Sequence, residues 1–454
     1  MAVSRRFVIR QVTIGSLALT FGFDVESLWA AECGKPVSPD DCTLPTPPPA
    51  TRFIPKEPNV RTRYSALEMA DPSRATQLQQ FRDAICLVRN LPPTDVIGWT
   101  KFVAQHCINC ARSNTSNIHY DWQFLPWHRA LLYFLERVLR NQSGNDDVRL
   151  VYWDWENASS RTLPSIYAPA DQPLYWANRG DLQGPNWPLR YDDVNVQPLL
   201  AIPDFKTFGG SSVQKDPVPA AYSGPHANVH NNFSPGDMSN LQYSPRDPVF
   251  YAHHGNIDRL WSSWVAAGHS NPDFGDAKVY FYDENRQWRY VLMNDLRDTR
   301  TLGYEYSSLM QPRAATRSLR TMAVSRDANR IALGAQTMRA LNAPAPEFLV
   351  LTNIDLDALP PDTLRFGIFA GKPPVGTASG STNTFLGMAS RVLSEGHAHA
   401  EPLSAALDIS NKLGSLDPDG GAAALDLHVA PLDETKTTTG EAIPVAADSI
   451  RIVG

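Results

Sequence analysis

His226-Ala227-Asn228-Val229-His230 and, further on, Asp247-Pro248-Val249-Phe250-Tyr251-Ala252-His253-His254-Gly255-Asn256-Ile257-Asp258-Arg259-Leu260-Trp261 decide how this chain folds. His226 and His230 are four apart, so on a helix their side chains share one face, one turn from each other, where one metal ion reaches both. Helical patterning is expected from His226 and again from His254 to Ala267. An earlier window holds His106, His119 and His128, so seven of the eleven histidines fall in two short windows. One histidine on an apolar helix is usually a packed core residue; this clustering points instead to ligands.

Imidazole suits zinc, copper, iron and nickel. The sequence has no His-Glu-x-x-His motif, no paired Cys-x-x-Cys sets and no carboxylate joined to two histidines at ligand spacing. Two groups of three histidines without an acid ligand favour two equivalent metal ions. A neutral ligand set of this kind suits copper cycling between oxidation states, and a zinc hydrolase is the alternative.

Outward from these windows, His119 to Leu139 forms a helical run closed by Asn141 and Gly144. Leu78, Phe81, Ile85, Val88 and Leu91 recur at three- and four-residue intervals, one face of another helix. Residues 164–225, dense in Pro, Gly, Asn and Asp, predict a long ordered loop region. Composition shifts near Ser307. Arg313, Arg317, Arg320, Arg326, Arg330 and Arg339 then face a single acid, Asp327, which predicts a linker or an exposed, protease-sensitive helix. After Pro346 the chain turns to strand patterns at 348–351, 364–369 and 450–453. The expected fold is α+β and multidomain: a mainly α-helical core over 32–307 with the metals in a helix bundle, its closing segment at 273–307, a linker over 308–343, and a C-terminal β-sandwich over 344–454.

With 454 residues, 43% of them hydrophobic, the chain can bury a sizeable core. A net charge of −6 offers no broad basic surface, so nucleic acid is a poor partner. Residues 1–31 carry Arg5-Arg6 before a short apolar stretch too short to span a bilayer, with Ala30 and Ala31 as a cleavage point, and predict a twin-arginine export signal to a bacterial periplasm or the exterior. Cys33, Cys42, Cys86, Cys107 and Cys110 then sit in an oxidising setting; four can pair in three connectivities, and one is left over.

His106-Cys107-Ile108-Asn109-Cys110, the run His119 to Arg129 with Phe124-Leu125-Pro126-Trp127-His128, and Tyr152-Trp153-Asp154-Trp155 resemble the first copper site of plant-type polyphenol oxidases, the tyrosinase and catechol oxidase family. His226 to His230, Gly236-Asp237-Met238 and Asp247 to Trp261 resemble the second. Tyr280 to Asn285 and Leu302-Gly303-Tyr304-Glu305-Tyr306 resemble the segment that ends the catalytic core, and the β region with 395–399 more loosely resembles the C-terminal domain.

The resemblance implies two copper ions, the first on His106, His119 and His128, the second on His226, His230 and His254, with His253 in packing or beside the ligands. It implies a thioether from Cys110 to His119, with a disulfide as the other fate of that cysteine, and a Cys42–Cys107 disulfide tying an N-terminal arm to the core. Asp258, four residues after His254, is expected to orient a ligand imidazole through its ring N–H, or else to pair with Arg259. Family members that hydroxylate monophenols often carry a Glu and an Asn around the first ligand of the second site; Tyr222 and Ala227 stand there. Leu241 replaces a bulky Phe, which predicts a wider entrance. The implied activity is oxidation of o-diphenols to o-quinones with dioxygen, monophenol hydroxylation being weak or absent. A true tyrosinase, an o-aminophenol oxidase and an oxygen carrier are the alternatives. The C-terminal domain is expected to cover the active site, or to serve as a permanent stabilising partner.

Overall fold

The computed structural model describes residues 42–111, 117–185, 187–313, 330–332, 347–393, 401–410, 412 and 424–453. The export-signal reading, Cys33, most of the 308–343 linker and residues 395–399 lie outside them. The core is built on helices α1 (Ala75–Arg89), α2 (Trp99–Ala111), α3 (Phe124–Ser143), α4 (Ala227–Asn232) and α5 (Val249–Ala266). None in the described residues is long and apolar enough to cross a membrane.

Helix α3 is buried almost all round, from Phe124 to Leu139, because it runs through the middle of the bundle. Gly144 ends it at φ +64°, the left-handed turn that glycine takes without a Cβ penalty. The helix begins later than the sequence suggests. Asp121 accepts the Gln123 N–H at 2.7 Å, so the chain turns there, and His119 sits in the turn before the helix. Helix α5 lies against the 151–155 segment: the Trp153 N–H donates to the Ala252 carbonyl at 2.9 Å. A Cβ on Gly255 would meet the Val151 carbonyl at 3.0 Å, so this approach needs glycine.

The core continues past Ser307. Met310 is buried, and its N–H donates to Ser263 Oγ at 3.0 Å, so the helical domain holds the chain to Arg313. Two small sheets close the core. Strand β1 (Thr51–Arg52) pairs parallel with β4 (Trp288–Leu292), which pairs antiparallel with β3 (Lys278–Tyr282). Strand β2 (Arg61–Arg63) pairs parallel with β5 (Tyr304–Tyr306).

That second pairing sits on a buried charge network. Arg63 Nε donates to Glu136 at 2.9 Å and its guanidinium lies 3.4 Å from the centre of the Tyr304 ring. Asp258 takes the Arg129 Nε–H on one oxygen and the Tyr304 hydroxyl, at 2.7 Å, and the Tyr306 hydroxyl on the other. Arg63, Glu136, Arg129 and Asp258 are all essentially inaccessible. Removing one partner from such a network strands a charge in a low-dielectric interior, at ~3–5 kcal/mol.

The C-terminal region is a sandwich. Strands β7 (Phe348–Ile354), β10 (Leu403–Asp408) and β13 (Ser449–Val453) form one sheet in the order β10-β7-β13. Strands β8 (Arg365–Ala370), β9 (Phe385–Ser390), β11 (Ala424–Leu432) and β12 (Ile443–Pro444) form the other, in the order β12-β11-β8-β9. Leu349, Leu351, Ile368, Leu386, Val429 and Ile450 fill the space between them. The stretch expected to be a linker contributes β6 (Arg330–Ala332), which pairs antiparallel with Ala424–Asp426. Backbone pairing on the open edge of β11 draws this short piece into the sheet, where no apolar periodicity could have revealed it.

Candidate metal centre

Helix α2 carries His106, the turn before α3 carries His119, and α3 carries His128. The bend at 222–226 and α4 carry His226 and His230, and α5 carries His253 and His254. The structure brings all seven rings together. His106 lies 5.3 Å from His119 and 5.4 Å from His128 between ring centres. His226 lies 4.6 Å from His230 and 5.1 Å from His254. The two groups abut: His128 stacks on His254 at 4.2 Å and His119 faces His226 at 5.9 Å. Phe250 packs between them, 5.1 Å from His106 and 4.2 Å from His254.

Backbone and amide oxygens set how most of these rings present themselves. The Nδ1–H of His128 points at the Phe124 carbonyl (2.7 Å), that of His226 at the Tyr222 carbonyl (3.2 Å) and that of His230 at the Met238 carbonyl (2.6 Å). His119 Nδ1 lies 3.0 Å from Asn117 Oδ1, which also accepts the His119 backbone N–H at 2.9 Å. A ring whose Nδ1–H is given to an oxygen keeps its lone pair on Nε2. The Nε2 atoms of His119, His128, His226, His230 and His253, and both ring nitrogens of His254, are buried with no hydrogen-bond partner among the described residues. Burial holds every one of these imidazoles below its ordinary range, His128 to about 3 and His230 to about 4. They are neutral at pH 7, so each keeps a lone pair on one ring nitrogen.

Unpaired acceptors buried this deeply are costly unless something fills the space between them. Two groups have their ligand atoms mutually within 4.8 Å: His226, His230, His253 and His254, and His106, Cys110 and His119. Neither group contains a carboxylate, a donor set that fits late transition-metal ions. Cys110 is a buried free thiol with its sulfur 3.2 Å from His106 Nδ1. Cys42 and Cys107 form a disulfide, as the resemblance implied, and Cys86 is also disulfide-bonded.

Two expectations need correction. Asp258 does not orient an imidazole. One turn beyond His254 on α5, it reaches the buried Arg129 and the two tyrosines instead, and Arg259 pairs with Glu156 at 2.6 Å. A carboxylate in this interior goes to the nearest buried cation, and Arg129, the residue after His128, supplies it. Leu241 does not line an open entrance in the whole chain either. It is fully buried, and its N–H donates to the Leu393 carbonyl at 2.9 Å.

The segment that follows β9 therefore packs on residues flanking the second histidine group. Leu393 bridges Asn240, the Arg391 carbonyl accepts from Asn231 Nδ2 at 2.9 Å, and the Val392 N–H donates to the Tyr222 hydroxyl at 3.4 Å. On β10, Ser404 Oγ donates to the Val218 carbonyl at 2.6 Å. Val350, Val392 and Val453 of the sandwich are buried in the same apolar cluster as the helical core. Tyr222 packs on the rings of His119 and His226, and both it and Ala227 are fully buried. Tyr222 shares a hydrogen bond with Tyr120, and burial pushes its hydroxyl up from the usual range.

Sequence reasoning missed Asn117, which holds His119, and the role of Trp155, whose indole N–H donates to His253 Nδ1 at 3.1 Å. An Asn two residues before a ligand is a local signal that could have been read; the indole, 98 positions from its partner, left none.

Residues 97–267 match the common central domain of tyrosinase, in two overlapping segments, and 269–318 the polyphenol oxidase middle domain. Among curated relatives, a chloroplastic polyphenol oxidase of Vitis vinifera is 28% identical over 341 residues, 65% of this chain and 56% of its own length. Aureusidin synthase of Antirrhinum majus is 28% identical over 339 residues, 63% of this chain and 60% of its own. The chain thus spans little more than half the length of the curated relatives it matches. Latent apple tyrosinase shares the fold, with a TM-score of 0.65 at 22% identity over 89% of this chain and all of that one. Grenache (Vitis vinifera) polyphenol oxidase matches 62% of this chain and 96% of its own at 27% identity and a TM-score of 0.53. These relatives are plant proteins and lend no support to a bacterial source.

Proposed function

The chain is built on tyrosinase-family domains, and from that premise we propose that it is a dinuclear copper oxidase converting o-diphenols to o-quinones with dioxygen, with monophenol hydroxylation weak or absent. The observation that carries this reading is the pair of abutting imidazole groups in which the buried Nε2 atoms of His119, His128, His226, His230 and His254 have no partner among the described residues. His106, His119 and His128 would hold the first copper, and His226, His230 and His254 the second. When bound, the copper pair supplies the redox couple between phenol and dioxygen.

The chain's own residues prepare that chemistry. Carbonyls of Phe124, Tyr222 and Met238 fix three rings so that no reorientation is needed on metal binding. Phe250, Phe124 and Trp127 line the rings with aromatic surface and exclude water. Hydroxylating a monophenol needs a base at the substrate's hydroxyl; Tyr222 stays protonated through burial, and Ala227 offers only a methyl group. General-base catalysis is worth ~10²–10⁴-fold. On copper-loaded protein, oxygen uptake with dopamine should therefore exceed that with tyramine by about 100-fold or more. Comparable initial rates would sink the diphenol assignment. Copper binding without any catechol turnover would point to an oxygen carrier.

The Cys110–His119 thioether belongs to the same proposal, supported by the sulfur lying within 4.8 Å of the ring's ligand atom. An intact mass two hydrogens short of the sequence with its disulfides formed should report it; the full mass would refute it. Export through the twin-arginine signal is likewise proposed, supported by the Cys42–Cys107 disulfide, which suits an oxidising compartment.

A further inference from the structure

Four histidines, not three, crowd the second group: one ligand atom each from His226, His230, His253 and His254 falls within 4.8 Å of the others. Distance alone does not say which rings a metal would take. The hydrogen bonds do. His226 and His230 direct their Nδ1 atoms at the carbonyls of Tyr222 and Met238, so Nδ1 carries the proton and Nε2 the lone pair. His253 is wired in the opposite sense. Its Nδ1 faces the Trp155 indole Nε1–H at 3.1 Å, and an indole nitrogen can only donate. Nδ1 must then be the acceptor, so the ring carries its one proton on Nε2, an atom with no hydrogen-bond partner among the described residues.

We propose that Trp155 is a positioning residue for the second metal: by donating its indole N–H to His253 Nδ1 it locks that ring in the Nε2–H form, so that a fourth imidazole at ligand distance cannot coordinate. The inference rests on the dinuclear reading above. To become a ligand through Nε2, His253 would have to move its proton to Nδ1, where it would meet the Trp155 N–H head on, or turn its ring and break the bond. Both partners are fully buried, so water cannot relieve that donor-to-donor contact. The ring of His254, one residue on, has no partner on either nitrogen and meets no such obstacle. Three imidazoles on the metal leave a position open for an exogenous ligand, whereas four would close it. Trp155 reaches this place because the Trp153 N–H is bonded to the Ala252 carbonyl, which lays the 151–155 segment along α5.

The test is copper content per folded full-length chain, in a background where His253 is the imidazole left to fill the gap. With Trp155 in place, His254→Ala should hold about half the native copper, because His253 stays barred; Trp155→Phe with His254→Ala should rise again about twofold as His253 becomes competent, and Trp155→Phe alone should keep the native content. Native copper in His254→Ala overturns the proposal, as does a double variant that stays at half while Trp155→Phe alone loads normally. If the native chain itself holds fewer than two coppers, the dinuclear reading has failed instead. Should Trp155→Phe not fold, the metal-free native chain with 15N-labelled histidines decides, His253 being assigned through His253→Asn. An unprotonated, hydrogen-bonded Nδ1 with a protonated Nε2 is expected, and a protonated Nδ1 overturns the proposal.

Discussion

His128→Ala should lose about one of the two coppers, and catechol oxidation should fall by about 100-fold or more, since even residues that only hold a metal ligand contribute 10–100-fold. The ring is fixed on three sides. Its Nδ1–H meets the Phe124 carbonyl at 2.7 Å, one face stacks on His254 at 4.2 Å, and Trp127 packs at 5.1 Å. Among the described residues no spare imidazole stands behind it in the first group: His106 and His119 are its histidine companions there, and Cys110 lies against His106. Alanine therefore leaves two nitrogen ligands where three are needed, in a cavity too buried for water to substitute freely. His253→Ala is the control, because a ring presenting an N–H holds no metal; it should keep both coppers. Metal analysis of the purified, folded variants checks both. Full copper in His128→Ala would remove the ligand assignment.

Cutting the chain between Arg313 and Arg339 and separating the C-terminal domain should raise catechol turnover by about tenfold or more, as expected when the competent, uncovered state is a minor population before the cut. The contacts between the two domains are specific. Leu393 accepts the Leu241 N–H at 2.9 Å, and Val392 lies buried against the Tyr222 hydroxyl. Further out, Asp193 pairs with Lys436, and Arg313 with Asp408 at 2.6 Å, across the same interface. On the proposed reading substrate must displace this segment to reach the second group, and among the described residues no imidazole takes a hydrogen bond from it. Removing the domain should thus open the entrance and leave the metals in place. Limited trypsin treatment, size-exclusion chromatography and an assay of the core fraction with its copper measured make the test. A core that keeps its copper but runs no faster than the whole chain would make the sandwich a structural partner, with no role as a lid.

The six proposed ligand histidines were legible because their spacing carries geometry. The four-position spacing of His226 and His230 is one helical turn, and the pair at His253 and His254 falls in an apolar run long enough to be α5. The start of α3 was less legible. Helical periodicity reached back to His119, but Asp121 caps the chain and leaves His119 in a turn held by Asn117. The strand at Arg330–Ala332 carried no signal of its own, since its order comes from pairing with β11.

By itself the sequence determined which residues could bind metal, the Cys42–Cys107 tie that its family resemblance implied, and the division into a helical core and a β-rich end. Those depend on local periodicity and residue chemistry, which a linear string contains. Only the tertiary structure decided which partner each side chain takes. Asp258 shares a helix with His254 yet answers to Arg129, Tyr304 and Tyr306. His253 and His254 are neighbours with opposite wiring, because an indole from 98 positions away meets one of them. Leu241 is buried because Leu393, far along the chain, takes its N–H. In a buried site every polar atom must find a partner among whatever the fold brings near, and that choice is made by approach in space.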